Sequence, residues 1–252
     1  MAARHAAEAL EEHGVRAREA QSALKRIAEL LHLERTPERI EAYDLSHLAG
    51  TDPVAGMSVL VGGVPETASY RHFQVKQAEG GDDYGGMEEI VGRRFARGSE
   101  LGEAPDLVLI DGGRGQLEAA RRALLRSGHA PVPMIGLAKA RPSEGKEHER
   151  IIRPDVEDAL ILEETDPALR ILVKARDEAH RFAGRYQRKR RSQALVKGVL
   201  DDVPGVGPKR RRQLIERFGS VAGIKRASFE DLAAMPGIGE RRAREIRERL
   251  DA

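Results

Sequence analysis

Near its C-terminal end the chain repeats itself. Val203-Pro-Gly-Val-Gly-Pro-Lys-Arg-Arg-Arg-Gln-Leu-Ile-Glu-Arg-Phe218 overlays Met235-Pro-Gly-Ile-Gly-Glu-Arg-Arg-Ala-Arg-Glu-Ile-Arg-Glu-Arg-Leu250 at a constant offset of 32 residues. The proline, both glycines, two arginines, a glutamate and the final arginine coincide, and an apolar residue separates the glycines in each copy. This is an internal duplication. Gly205 and Gly207, like Gly237 and Gly239, permit a tight hairpin whose backbone amides point outward at the start of the next helix. There they can hold a phosphate oxygen with no side chain in the way. Lys209, Arg210, Arg241 and Arg242 follow in the first helical turn, within reach of the same phosphate.

One Pro-Gly-Val-Gly alone reads as a turn before a helix. Two copies, joined by a short helix over residues 229–234, resemble the paired helix-hairpin-helix module of DNA repair proteins, which positions DNA without reading its sequence. Charge agrees. From Arg188 to Ala252 there are 17 Lys+Arg against 9 Asp+Glu, a net +8, whereas residues 1–187 carry 26 against 32, a net −6. The basic excess of a nucleic-acid footprint is therefore confined to the tail.

The remainder of the 252 residues is long enough for one larger domain. Residues 1 to about 35 read as one or two alanine-rich, charged helices. From Arg39 the period changes: Ile40, Ala42 and Asp44 begin a strand, and residues 54–62 and 70–77 give two more, with Gly62-Gly63 as a hairpin turn. A helix over 82–97, a buried strand over 107–110, a helix over 115–127 and a buried strand over 132–137 follow. The order β-β-β-α-β-α-β is mixed α/β. Residues 140–150 read as an exposed loop, and Asp166-Pro167 opens a long helix running to about Arg191. The domains expected are a helical segment at 1–38, a larger domain at 39–190, a linker at 191–198 and the duplicated module at 199–252.

No apolar stretch approaches membrane-spanning length and no secretory signal is visible, so a cytoplasmic protein without membrane attachment is expected. The absence of cysteine excludes disulfides, cysteine-held zinc and cysteine nucleophiles. Any metal must be held by oxygen or imidazole, which favours magnesium or manganese. No Walker A sequence occurs, and Asp111-Gly-Gly-Arg-Gly-Gln116 is no dinucleotide fingerprint, because Glu118 stands where the third glycine belongs. No nucleotide cofactor is expected.

Asp44 falls at the end of the first strand, and Asp111 directly follows the buried run Leu107-Val-Leu-Ile110. Either aspartate alone suits a turn or cap. If the two strands are neighbours, the carboxylates converge on one cleft and can share a divalent cation able to serve phosphodiester hydrolysis. His180 lies seven residues after Val173 and eleven after Leu169, on the inward stripe of the long helix. A core histidine is the ordinary reading of that position, but the charged surroundings of Arg176, Asp177, Glu178 and Arg181 oppose it. His47 reads either as a supporting group for Asp44 or as a surface-loop residue.

Tyr43-Asp-Leu-Ser-His47, Asp82-Asp-Tyr84, Asp111-Gly-Gly-Arg-Gly-Gln116, Gly136-Leu-Ala-Lys139 and Arg176-Asp-Glu-Ala-His-Arg-Phe182 occur in this order. Together with the paired hairpins they resemble the C-terminal half of the UvrC family, the incision subunits of bacterial nucleotide excision repair. The resemblance implies an α/β RNase H-like domain, a mixed sheet flanked by helices, followed by a small all-α tandem helix-hairpin-helix domain. It implies a catalytic triad of Asp44, Asp111 and His180, in which the aspartates hold Mg2+ or Mn2+ and the imidazole either joins them as a ligand or orients or deprotonates water, and the 5′ incision beside a lesion. Asp83 matches a further acidic position, and Lys139 is placed to steady a phosphate or the nucleophile. The implied partners are duplex DNA carrying a lesion, bubble or strand junction, and a UvrB–DNA complex. The family's GIY-YIG nuclease domain, cysteine cluster and UvrB-binding segment are not visible in this sequence. Two rival readings stay open: a non-catalytic, structure-specific DNA-binding module, and a junction-resolving nuclease of related fold.

Overall fold

The computed structural model describes residues 2–46, 53–78, 82–98, 102–139, 148–200 and 205–251. His47 and the 140–147 part of the expected loop lie outside them. The chain divides into two compact units, residues 1–184 and 185–252.

The first unit is built on a mixed sheet. Helix α1 (Ala2–Leu31) precedes strands β1 (Arg39–Ser46), β2 (Val54–Val61), β3 (Val64–Pro65) and β4 (Arg71–Gln74). Helix α2 (Asp83–Ala96), β5 (Leu107–Asp111), α3 (Arg114–Arg126), β6 (Met134–Lys139), β7 (Glu149–Ile152), β8 (Leu160–Ile161) and α4 (Pro167–Leu200) follow. The strands run in the order β3-β2-β1-β5-β6-β7-β8, with β4 also paired to β2. The expected antiparallel meander is present, but its third strand is split. The Gly62-Gly63 turn, with both φ angles positive, makes a two-residue hairpin into β3, and a 3-10 turn at Thr67–Ser69 then resets the chain into β4.

Two corrections concern the second half of this unit. Part of the stretch expected to be a loop is strand: Glu149–Ile152 pairs antiparallel with β6, burying Ile151 and Ile152. The long helix, expected to end near Arg191, runs unbroken to Leu200, through the 191–198 stretch read as a linker.

The inner strands are buried on both faces, as a parallel centre with helices on either side demands. Tyr43, Met57, Val108 and Ile110 pack with Ile90 of α2 and Leu117 of α3 in one core. Ile40, Ala42, Leu107, Leu109 and Leu137 pack with Leu24 of α1 and Leu172 and Ala175 of α4 in the other. Strand alternation therefore assigns Asp44, two residues past Ala42, and Asp111, two past Leu109, to the α4 side.

One charged cluster lies wholly inside. Glu41 accepts two hydrogen bonds from Arg94 of α2, at 3.1 and 2.9 Å, one from Arg39 at 3.2 Å and one from the Tyr43 hydroxyl at 2.7 Å. Glu41 and Arg94 are essentially inaccessible to solvent. The pair joins α2 to β1 at Glu41, three residues before Asp44 in that strand. Arg94→Met should lower stability by about 3–5 kcal/mol, because it leaves the buried Glu41 carboxylate without its bidentate partner and with Arg39 as its remaining cation. A urea midpoint within error of the wild type would contradict this.

The second unit takes in the last part of α4, from Arg185, and comprises in addition α5 (Pro208–Phe218), α6 (Val221–Arg226), α7 (Phe229–Ala233) and α8 (Gly239–Asp251). Repeat-equivalent residues share its core: Val206 with Ile238, and Leu214 with Ile246. Ser220 and Ser228 cap α6 and α7 by accepting from the amides of Gly223 and Asp231.

Candidate metal centre and nucleic-acid interface

Strand register brings the carboxylates together. In the parallel pairing of β1 with β5, Tyr43 lies opposite Ile110, so the next residues, Asp44 and Asp111, leave adjacent strands at the same level and on the same face. Asp44 is buried and accepts from Ser46 Oγ at 2.9 Å.

Helix α4 supplies the third group, and four contacts fix its height over the sheet. Ser58 Oγ donates to the Ala175 carbonyl at 2.8 Å, the Tyr70 hydroxyl donates to Glu178 at 3.1 Å, and the Phe182 ring stacks on His72 at 3.7 Å. Closest of all is Gly56, which pairs with Asp44 across β1 and β2. A Cβ there would lie 2.7 Å from the Ala179 carbonyl oxygen and 2.9 Å from Ala183. Only glycine lets the helix backbone settle on the strand at this point.

With α4 so placed, His180 Nδ1 stands 3.2 Å from Asp44 Oδ2 and 3.9 Å from Asp111 Oδ2. Among the described residues these three form one group whose donor atoms all lie within 4.8 Å of one another. The inward position expected of His180 is corrected: its side chain is 69% exposed, because the buried stripe of α4 runs through Leu172, Ala175, Ala179 and Ala183 and His180 lies to one side of it.

Burial, and next the Asp44 charge, push the Asp111 carboxyl up to about 6, against the opposing pull of Arg176 and His180. Two carboxylates and an imidazole, converging with one carboxyl driven toward its neutral form, suit a hard or borderline divalent cation. Arg176, one helical turn before His180, is buried and pairs with Glu149 of β7 at 2.6 Å and with Asp177 at 2.9 Å. Sequence reasoning missed Gly56 and Glu149. A lone glycine inside a strand was the available signal for the first, and nothing marked the second.

The weaker candidates lie elsewhere. Asp83 opens α2 beside the Asp82 N-cap and lines a recess of about 340 Å³ with Tyr84, Gly113, Gly115 and Gln116. It is not part of the donor group. Lys139 ends β6, opposite Glu149, and lines a different cleft.

In the second unit the two hairpins adopt matching conformations, with φ of +78° at both Gly205 and Gly237. Arg210 donates to the Gly205 carbonyl at 2.6 Å while its guanidinium lies over Gly237, where a Cβ would be 2.9 Å from Nε. Arg242 mirrors it, donating to the Gly237 carbonyl at 3.3 Å while lying over Gly205. Each arginine thus closes its own hairpin and rests on the other. Lys209 and Arg241, their neighbours in the repeat, are exposed. Gly207 ends the first hairpin as the N-cap of α5 without a side-chain cap, and Gly239 opens α8.

Residues 28–183 match the family described as the UvrC RNase H endonuclease domain, and residues 198–252 match the SAM-like helix-hairpin-helix tandem. The UvrABC system protein C of Moorella thermoacetica is 43% identical over 218 residues, covering 85% of this chain and 34% of that protein. That of Gloeobacter violaceus is 41% identical over 239 residues, covering 92% and 37%. The chain spans about a third of the length of these relatives. Among solved structures, Ciona intestinalis endonuclease V in complex with an inosine-containing DNA aligns at 13% identity and a TM-score of 0.37, covering 61% of this chain and 87% of that one. A likeness so remote adds nothing to the family match. No helix among the described residues is long and apolar enough to cross a membrane.

Proposed function

The chain belongs to the UvrC RNase H endonuclease family, and we propose that it is a divalent-metal-dependent DNA endonuclease making the 5′ incision beside a lesion in nucleotide excision repair. The observation that carries this reading is the convergence of Asp44, Asp111 and His180 from three separate elements, with their donor atoms within 4.8 Å of one another. Asp44 and Asp111 would hold Mg2+ or Mn2+, with His180 as a further donor or as the base. When bound, such a cation supplies Lewis acidity to the scissile phosphate and to its leaving oxygen. The chain's own residues do the rest. Asp44 holds the imidazole by Nδ1, which leaves Nε2 toward solvent to orient a water and take its proton as water adds to phosphorus and one P–O bond breaks.

Nicking of a bubble-containing duplex should require Mg2+ or Mn2+ and should vanish in Asp44→Asn. Undiminished nicking in that variant would sink the assignment. Salt-sensitive binding with no nicking under any metal would instead favour a purely DNA-binding module.

The tandem hairpins fit a backbone grip, with phosphates on the hairpin amides and on Lys209 and Arg241, and with Arg210 and Arg242 keeping Gly205, Gly207, Gly237 and Gly239 in register. Replacing both Lys209 and Arg241 by alanine should reduce the slope of log K against log salt by about 2, alike for unrelated duplex sequences. An unchanged slope would remove these two residues from the interface. The UvrB–DNA complex is the partner this family reading brings, in a bacterial cytoplasm.

A further inference from the structure

Beside the metal centre, between β6, β7 and α4, lies a cleft of about 510 Å³ that the hydrolytic chemistry does not use. Strand alternation aims Lys139 and Glu149 into it, on the same face as Asp44 and Asp111. Arg170, Val173, Lys174 and Asp177 reach it from one side of α4, at intervals of three and four residues. Its floor is apolar, formed by Leu169 and Val173.

The charge balance of the cleft is uneven. Glu149 and Asp177 share the one Arg176 guanidinium. Lys139 and Arg170 enter no ion pair among the described residues, and the Lys174 ammonium donates to the Gly63 carbonyl at 3.1 Å. Cations thus line both sides, Lys139 on the strand side and Arg170 and Lys174 on the helix side, with apolar Leu169 and Val173 between them and the Glu164 carboxylate also in the lining. A duplex backbone has no apolar face to set on such a floor, whereas an unpaired nucleotide has a base for the floor and a phosphate for the walls.

We propose that this cleft receives an unpaired nucleotide of the DNA strand that enters the metal centre, its base against Leu169 and Val173 and its phosphate between Lys139 and the Arg170–Lys174 wall. The proposal rests on the nuclease reading for its biological meaning, but strand binding is separable from cutting.

Because the chain has no cysteine, Glu164→Cys at the cleft rim gives a single thiol for an environment-sensitive fluorophore on the full chain. With EDTA present, a short oligothymidylate should change the signal, and a blunt duplex and a base-free abasic strand should change it far less. Arg170→Glu combined with Lys174→Glu should weaken the oligothymidylate response about tenfold at low salt. Lys139→Ala, on the opposite wall, should weaken it in the same direction, which covers the case that Lys174→Glu disturbs the Gly63 contact. Val173→Asn, which removes the apolar contact for the base, should abolish the preference for the base-bearing strand. Equal responses to abasic and base-bearing strands, or no effect of the wall variants, would overturn the proposal. Nicking is scored separately: a chain that binds the strand here yet never cuts defeats the nuclease reading alone. Cutting that needs Asp44 but ignores every cleft variant defeats the cleft alone.

Discussion

Asp111→Asn should leave no measurable metal-dependent nicking and, in the same protein freed of metal, should raise the thermal midpoint at pH 7.5. The first half follows from removing one of two carboxylates that converge within reach of His180. The second follows from the state of that carboxyl, pushed up to about 6 by burial and by Asp44, while an unfolded aspartate titrates near 3.9. Between those values the folded chain keeps a proton that the unfolded chain has lost, so stability falls as pH rises through that window and stays reduced above it. The gap corresponds to about 3 kcal/mol at most. At roughly 2–4 °C per kcal/mol for a chain of this size, the neutral amide should gain several degrees at neutral pH and little below pH 4. Differential scanning fluorimetry in EDTA from pH 4 to 8 checks it. An Asn variant that is no more stable than wild type at pH 7.5 would show that Asp111 carries no such penalty. A destabilising carboxylate pair in the metal-free chain is what a cation site should look like, because the charge that binding neutralises is already in place.

The sequence made some of this legible and hid the rest for identifiable reasons. Asp111 was visible because four buried apolar residues precede it, leaving a carboxylate at a strand end with no ordinary duty. Asp44 was visible as a candidate, but its pairing level with Asp111 depends on β1 and β5 being neighbours, which local periodicity cannot supply. The hairpin module was plain because duplication is a property of sequence itself. The duties of Arg210 and Arg242 were not, since each crosses to the other copy's glycine, a contact between residues far apart in the chain. Strand β7 was misread because only two of its residues are buried and charged residues flank them, so an edge-side strand looked like a loop. His180 reads as inward from its spacing to Val173 and Leu169, but the stripe of α4 that is buried runs through Leu172, Ala175, Ala179 and Ala183, which leaves His180 to one side of it. Val173, on the same expected stripe, is likewise only half-buried.

Gly56→Val should reduce the single-turnover nicking rate by about a hundredfold, although Gly56 supplies no group to the site and meets Asp44 only as its backbone partner in the sheet. The added Cβ would meet the Ala179 carbonyl oxygen at 2.7 Å and the Ala183 backbone nitrogen at 2.9 Å, and these are helix backbone atoms that no rotamer change can move aside. Helix α4 must lift from β2, and His180, the residue after Ala179, lifts with it, away from an Asp44 that stays in its strand. Overpacking of this kind also lowers stability by about 1–3 kcal/mol. Gly56→Ala presents the same first carbon without the branches and should shift rate and stability in the same direction by less. Manganese titration separates the effects, because Asp44 and Asp111 ride on β1 and β5 and keep their mutual register. If the imidazole acts on water rather than on metal, affinity is retained while the rate collapses; if it is a ligand, both fall together. A Gly56→Val protein that nicks at the wild-type rate would mean that the close seating of α4 on β2 does not set the position of His180.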